Sequence, residues 1–154
     1  MSDVNERPVI FALSNPTSKA ECTAYQAYKW SQEKAVFASG SPFDTVKLNN
    51  KEFHPGKGNN AYVFPGMGLG VIIANAAIIP NELFLTAAKT LAELVSDKNL
   101  EDGALYPPLN EIRAISLEIA LAVGEKAYEL GVAKNKKPKN LRQTIKDYMY
   151  NPNY

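Results

Sequence analysis

The hydrophobic residues of this chain form two short continuous runs near its beginning and longer periodic segments after them. The two runs are residues 8–14 (PVIFALS) and residues 34–39 (KAVFAS), and each is followed by a turn sequence. A run that is apolar at every position predicts a strand that is buried on both faces, as in a parallel sheet covered by helices. Thr23 can cap a short helix over residues 24–30. The pattern therefore predicts a strand, a short helix and a second, parallel strand.

Polar residues then interrupt the pattern, and helical periodicity follows. Residues 46–54 are expected to form a small hairpin, because Asn49 and Asn50 tolerate the left-handed conformation of a tight turn. The uncharged segment 63–81 predicts a buried helix. Its apolar part is shorter than the roughly 20 residues that span a bilayer, and it contains glycines and prolines. We therefore expect no membrane span.

Three further helices are expected in the remaining part of the chain. Asn81 and Asn110 can each cap the beginning of one helix, and Gly131 is expected to end the second of these. A last short helix is expected from about Asn140. The whole pattern predicts an α/β fold in which two or three strands are followed by helices. Such a sheet is small, since sheets usually contain about four to six strands. The small strand count indicates that this sheet is incomplete.

The composition excludes several classes of function. The chain has 154 residues and a formal net charge of +1, which gives no electrostatic basis for non-specific binding to nucleic acid. Its one cysteine, Cys22, cannot form an internal disulfide, and Cys22 with the one histidine, His54, cannot supply the usual ligands of a structural zinc site. No basic segment followed by an apolar run occurs at the start, so we expect no signal peptide.

Two features that resemble binding motifs favour plain structural interpretations. Gly66, Gly68 and Gly70 miss the dinucleotide-binding fingerprint, which requires a third glycine at the position of Val71. We interpret them as small residues that let a buried helix pack closely against a neighbour. The carboxylate pair formed by residues 101 and 102 is expected to lie in a solvated loop.

Asparagines carry the more specific candidate chemistry. Asn15 directly follows the first predicted strand, at the end where open α/β sheets bind ligands, and its carboxamide can both donate and accept hydrogen bonds. Asn59 and Asn60 follow a glycine-rich loop and stand at the expected start of a helix near Ala61, where an anion would be favoured. The alternative interpretation is that Asn15 begins a turn and that Asn59 or Asn60 is only a helix cap.

The same segments resemble the malic enzyme family. The resemblance rests on strings that stand in the order and spacing of that family, namely RPVIFALSNPTSKAECTAYQAY, FASGSPFD, PGKGNNAYVFPGMGLGVI, LYPPLNEIRAIS and KAYELGVA. It implies the oxidative decarboxylation of L-malate to pyruvate and CO₂ with NAD or NADP and a divalent metal, Mg²⁺ or Mn²⁺. It also implies an incomplete Rossmann-like NAD(P)-binding domain over residues 1–104 and a helical segment over residues 105–154. The closing MYNPNY is similar to the ends of some eukaryotic members.

The resemblance assigns binding roles to four residues. Asn15, Asn59 and Asn60 are expected to hold malate, while Leu13, Asn15 and Asn59 are expected to contact the cofactor, Leu13 through its backbone. The family's acid, base, metal-binding carboxylates and glycine-rich loop all precede this stretch, so we expect no catalytic residue and no metal ligand here. The chain departs from the family at Tyr25, where an acidic residue is common, and at Lys57 in place of glutamine.

Two functional hypotheses follow from these observations. The first is that the chain is the C-terminal part of a malic enzyme, inactive alone, from an enzyme that forms dimers or tetramers. The second is a free-standing α/β module for assembly or binding, in which the enzyme site is vestigial. A cytoplasmic location is favoured, with mitochondria and plastids left open, and the preference for NAD or NADP is undecided.

Overall fold

The structure, a computed structural model, describes residues 1–101 and 103–151. Asp102 of the carboxylate pair and the last three residues of MYNPNY lie outside this described part. The chain divides into one unit of residues 1–59 and 95–107 and a second unit of residues 60–94 and 108–154. The domain boundary expected after residue 104 stays a prediction, since packing units within a chain need not coincide with the domains of a family.

The first unit contains a three-stranded parallel sheet. Its strands are β1 (Val9–Ala12), β2 (Val36–Ser39) and β5 (Gly56–Lys57), in the order β1-β2-β5. The helix α1 (Ala24–Trp30) connects the first two, so the expected strand–helix–strand arrangement is present. Both neighbouring pairs run parallel. A mixed α/β fold with a small parallel sheet is therefore confirmed, although β5 was not expected, because its two residues carry no hydrophobic pattern.

The helix α1 begins where the sequence predicts it. The Thr23 hydroxyl accepts a hydrogen bond from the backbone nitrogen of Gln26 at 3.1 Å, and the Gln26 side chain accepts one from the Thr23 nitrogen at 2.9 Å. This reciprocal capping box satisfies two backbone donors of the first turn. On its buried face, the Tyr28 ring stacks on Phe53 with centroids 4.5 Å apart, and burial raises the pKa of Tyr28 to about 12.

The strand β1 differs from its prediction. It was expected to be buried on both faces, but Val9, Phe11 and Leu13 are 50%, 46% and 46% exposed, whereas Ala12 on the other face is buried. Only β2 is buried at every position. The reason is the strand order, which places β2 in the middle and β1 at an edge of the sheet. Continuous hydrophobicity in β1 thus produces an exposed apolar face.

We expect this face and the unpaired edge of β1 to cause self-association of the chain on its own. Phe11→Lys is expected to shift the mass measured by light scattering toward the 16.9 kDa of one chain, because a charge on the edge strand opposes pairing. Tyr25→Lys is the matched control, since Tyr25 is 46% exposed on α1. A wild-type chain that stays monomeric over a wide concentration range would contradict the prediction.

The predicted hairpin is also present in the first unit. The strands β3 (Val46–Leu48) and β4 (Lys51–Phe53) pair antiparallel, and the turn residues Asn49 and Asn50 have φ angles of 45° and 65°. These left-handed values are those of a tight two-residue hairpin turn, which asparagine adopts at low cost. The short helix α4 (Asp97–Glu101) also belongs to this unit. The loop expected at Glu101 is therefore wrong, although its side chain is exposed as expected.

The second unit is helical. It contains α2 (Phe64–Ala74), α3 (Asn81–Glu93), α5 (Ile112–Glu129) and α6 (Leu141–Tyr148). Within the described residues, none of the helices has the length and apolar character needed to cross a membrane.

The helix caps expected at Asn81 and Asn110 are both wrong. Asn81 is the first residue of α3 rather than its cap, and Pro80 precedes it. Asn110 lies in a 3₁₀ turn, Leu109–Glu111, and α5 begins only after that turn. Asn140 does cap α6, because its side-chain oxygen accepts from the Gln143 nitrogen at 3.0 Å. Gly131, at a φ of 68°, follows the end of α5 as expected.

Two glycines let α2 and α5 approach each other closely. A Cβ atom added to Gly66 would lie 2.7 Å from the Ser116 carbonyl oxygen, and one added to Gly70 would lie 2.7 Å from the Ala120 carbonyl oxygen. Gly68, on another face of α2, has no heavy atom within 4 Å of such a Cβ. The three glycines lie inside a helix instead of in a strand-to-helix turn. The interpretation as packing residues is confirmed for Gly66 and Gly70 and is wrong for Gly68.

Candidate functional site

The strands β1, β2 and β5 end at one edge of the sheet, because parallel strands point their carboxyl ends in the same direction. Leu13 and Asn15 follow β1, Gly40 and Ser41 follow β2, and Asn59 follows β5 after one glycine. Ligands of open α/β sheets bind outside this edge. The fold therefore brings three of the four predicted binding residues, Leu13, Asn15 and Asn59, to one edge of the first unit.

The Asn15 carboxamide lies against the loop that follows β2. The Ser41 hydroxyl donates a hydrogen bond to Asn15 Oδ1, and the Gly40 nitrogen donates to the Ala12 carbonyl oxygen at 3.1 Å. A Cβ atom on Gly40 would lie 2.2 Å from the Leu13 carbonyl oxygen and 2.9 Å from Asn15 Nδ2. Glycine at position 40 is therefore required for the end of β1 to approach the end of β2 this closely.

The Glu21 carboxylate accepts hydrogen bonds from the turn that follows β1. The Ser14 hydroxyl donates to Glu21 Oε1 at 2.6 Å, and the Ser14 backbone nitrogen donates to Glu21 Oε2 at 3.4 Å. The hydrogen bond from the Ser14 side chain lowers the pKa of Glu21, because it favours the charged form of the carboxyl group. Glu21 is therefore an acceptor for the turn at neutral pH and is unsuited to act as a general acid there.

An aromatic side chain borders the end of β5. A Cβ atom on Gly58 would lie 3.1 Å from Leu13 Cδ2 and 3.1 Å from the Tyr106 hydroxyl oxygen. Burial raises the pKa of Tyr106, so its hydroxyl stays protonated at neutral pH. Asn59, the next residue, is half-buried. Sequence reasoning missed both Tyr106 and Ser41. A signal existed for Ser41, because it follows β2 at the same carboxyl edge at which Asn15 follows β1. Tyr106 reaches this edge only through contacts between residues far apart in the chain.

Asn60 differs from its expected setting. It begins a 3₁₀ turn, Asn60–Tyr62, in the second unit, and α2 starts only at Phe64. The Asn60 side chain is exposed, and its carbonyl oxygen accepts from the Val63 nitrogen at 3.1 Å. The expectation that Asn59 and Asn60 stand at the start of an α-helix near Ala61 is therefore wrong. The role of Asn60 in binding malate stays a prediction.

The side chains present do not fit a metal centre. In the described ranges, residues 1–101 and 103–151, no group of three His, Cys, Asp or Glu side chains could hold a metal ion. Cys22 is half-buried, and burial raises the pKa of its thiol, so it is a weak nucleophile and a weak ligand. His54 lies 3.2 Å from the Thr45 hydroxyl, measured from Nδ1.

Comparison with known proteins gives the family. A family sequence model described as "Malic enzyme, NAD binding domain" matches residues 1–128. The chain belongs to the malic enzyme family. The resemblance seen in the sequence is thereby confirmed, and the sheet edge described above is part of a malic enzyme NAD-binding domain.

Curated malic enzymes match the chain over its whole length. The chloroplastic NADP-dependent malic enzyme of Oryza sativa subsp. japonica is 52% identical over 155 residues, which cover all of this chain and 24% of the rice protein. The NADP-dependent malic enzyme of Anas platyrhynchos is 51% identical over 156 residues, which cover all of this chain and 28% of the duck protein. The chain thus spans about a quarter of the length of these malic enzymes.

Solved structures agree on the fold. A malic enzyme from Pyrococcus horikoshii has a TM-score of 0.65 at 26% identity, with coverage of 94% of this chain and 29% of the other. The Entamoeba histolytica malic enzyme has a TM-score of 0.67 at 23% identity, with coverage of 92% and 26%. These malic enzymes therefore share the partial α/β fold of this chain.

Proposed function

We propose that this chain is the C-terminal part of an NADP-dependent malic enzyme and that its sheet edge positions malate and the nicotinamide ring. The proposal rests above all on one observation, the convergence of Leu13, Asn15 and Asn59 beyond the carboxyl ends of three parallel strands. Family membership and the names of the relatives support the reaction, an oxidation and decarboxylation of L-malate to pyruvate and CO₂. The same names favour NADP over NAD.

Amide groups suit this positioning role. Malate carries two carboxylates, and the N–H groups of Asn15 and Asn59 can donate to their oxygens without placing a full charge beside the transferred hydride. The Leu13 carbonyl oxygen can accept from the carboxamide of a nicotinamide. NADP, when bound, accepts the hydride from the malate hydroxyl carbon. This chain therefore holds malate and NADP in a reactive geometry. Reaction rates are very sensitive to that geometry.

The chain alone is then without activity, because the acid, the base and the metal ligands come from the preceding part of the enzyme in this proposal. A chimera tests this directly. The 154 residues would replace the segment of the duck enzyme that they match. We expect malate-dependent reduction of NADP in the presence of Mn²⁺ from the chimera and none from the chain alone. A folded but inactive chimera would contradict the proposal.

Asn59→Ala in the chimera is expected to raise the KM for malate by about tenfold or more, because a hydrogen bond to a charged group is lost. The free energy of unfolding should change little, since Asn59 lies in a loop after the last strand. Asn5→Ala is the control, because Asn5 is exposed and precedes β1, so it lies on the amino side of that strand and not at its carboxyl end. Steady-state kinetics and urea denaturation measure the two effects, and an unchanged KM would refute the role of Asn59.

Location and assembly are parts of the proposal that rest on the family. Dimers or tetramers of the complete enzyme are proposed, as expected from the resemblance. Three of the matching relatives, from Oryza sativa subsp. japonica, Zea mays and Flaveria pringlei, are described as chloroplastic. The cytoplasmic location favoured by the sequence therefore stays a prediction.

A further inference from the structure

The Ser41 hydroxyl sits between the two loops that follow β1 and β2. It donates to Asn15 Oδ1 across 26 residues of sequence. Because Asn15 Oδ1 accepts this hydrogen bond, the donors that the Asn15 carboxamide offers to a ligand are the two N–H groups of Nδ2. The side chain of Asn15 is exposed, so packing alone does not fix its rotamer. The contact with Ser41 is therefore what selects one orientation of the amide.

Ser41 is itself held firmly in place. The hydroxyl of Ser39, which is fully buried at the end of β2, donates to the Ser41 carbonyl oxygen at 2.7 Å. The neighbouring Gly40 nitrogen donates to the Ala12 carbonyl oxygen at 3.1 Å. A backbone anchored on both sides in this way gives the Ser41 hydroxyl a defined position relative to the end of β1.

We propose that Ser41 is a positioning residue, which orients the Asn15 carboxamide so that its N–H groups face an oxygen acceptor of the bound ligand. This inference rests on the proposed function. The inference goes beyond the proposed function because it states that Asn15 presents hydrogen-bond donors, and not an acceptor, at the sheet edge. The acceptor is an oxygen of a malate carboxylate or the carbonyl oxygen of the nicotinamide amide, which share the same hydrogen-bonding chemistry.

The physical gain comes from preorganisation. A free asparagine side chain must lose rotamer freedom and choose between its oxygen and nitrogen ends when a ligand binds. A carboxamide already fixed by Ser41 avoids most of that cost. It also favours a ligand that presents a hydrogen-bond acceptor to Asn15 Nδ2, because the N–H groups already point in one direction.

Kinetics of the chimera test the inference. Ser41→Ala is expected to raise the KM of the ligand that Asn15 holds by about three- to tenfold, the range expected for one lost neutral hydrogen bond. A rise in the KM for malate identifies the carboxylate as the acceptor, and a rise in the KM for NADP identifies the nicotinamide. Ser41→Thr keeps the hydroxyl and is expected to restore most of the affinity, while Ser18→Ala, at an exposed position in the 3₁₀ turn Thr17–Lys19, is the control.

A double-mutant cycle separates positioning from a general structural role. In the background of Asn15→Ala, the further change Ser41→Ala is expected to leave both KM values unaltered, because Ser41 acts through Asn15. A merely structural role would instead lower the free energy of unfolding and add to the effect of Asn15→Ala. Unchanged KM values for Ser41→Ala in an active chimera would overturn the inference and leave the proposed function intact.

An NMR measurement tests the hydrogen bond between Ser41 and Asn15 without relying on enzyme activity. In the 154-residue chain, Ser41→Ala is expected to move the side-chain amide resonances of Asn15, whereas Ser18→Ala leaves them in place. Resonances that do not respond to Ser41→Ala would overturn the inference even if the chimera were inactive. An inactive chimera with a clear NMR response would instead count against the proposed function and uphold the orientation of Asn15 by Ser41.

Discussion

Gly70→Ala is expected to lower the free energy of unfolding of the chain by about 1–3 kcal/mol, the usual cost of overpacking a close contact. The added Cβ would lie 2.7 Å from the Ala120 carbonyl oxygen and 3.0 Å from Val123 Cβ. Both atoms belong to the long helix α5, whose backbone cannot yield locally. The helices α2 and α5 must therefore move apart, and the packing along their whole contact is weakened.

Gly68→Ala provides a matched control in the same helix. No heavy atom lies within 4 Å of a Cβ built on Gly68, so the substitution meets no obstacle. Alanine is favoured over glycine within a helix by about 0.5–1 kcal/mol, and the variant is expected to be neutral or more stable. Urea denaturation followed by circular dichroism measures both variants. Equal effects at positions 68 and 70 would show that helix propensity, and not the close approach to α5, determines the outcome.

Gly40→Ala is expected to have the largest effect at the sheet edge. A Cβ atom 2.2 Å from the Leu13 carbonyl oxygen cannot be accommodated, so the ends of β1 and β2 must separate. Leu13 and Asn15 would both be displaced. Because displacements near 1 Å in reacting groups can cost about a hundredfold in rate, we expect kcat/KM of the chimera to fall by about that factor.

Gly58→Ala is the control for the sheet edge. Its Cβ would lie 3.1 Å from Leu13 Cδ2 and from the Tyr106 hydroxyl oxygen, which are the far ends of side chains that can move. We therefore expect a much smaller loss of kcat/KM and of stability than for Gly40→Ala. If both variants lose activity to the same extent, the backbone contact between Gly40 and Leu13 is not the decisive feature.

The elements with local signals could be predicted from the sequence. Thr23 and Gln26 form the capping box of α1, and Asn49 and Asn50 form the hairpin turn, because each set of contacts involves residues close in the chain. The exposure of β1 could not be predicted, since it depends on which strand lies in the middle of the sheet. The same limit applies to β5, whose pairing with β2 depends on distant backbone groups.

In the candidate site, too, features with local sequence signals could be predicted and long-range contacts could not. Placing Asn15 at the sheet edge required only the end of an apolar run and the directional rule for parallel strands. The hydrogen bond from Ser41 to Asn15 spans 26 residues and could be found only in the folded chain. The predicted start of α2 is wrong, although the sequence contains a signal for the correct start. Pro65 lies in the first turn and marks the beginning of the helix near Phe64.

The two units of the chain interleave in sequence, and this affects the order in which the protein can fold during synthesis. Residues 95–107 belong to the first unit but are made after residues 60–94 of the second. The first unit therefore cannot be completed when residue 59 leaves the ribosome, although domains generally fold in order from the N-terminus. Its three strands all precede residue 58 and can pair earlier, but the unit is complete only once residue 107 has followed.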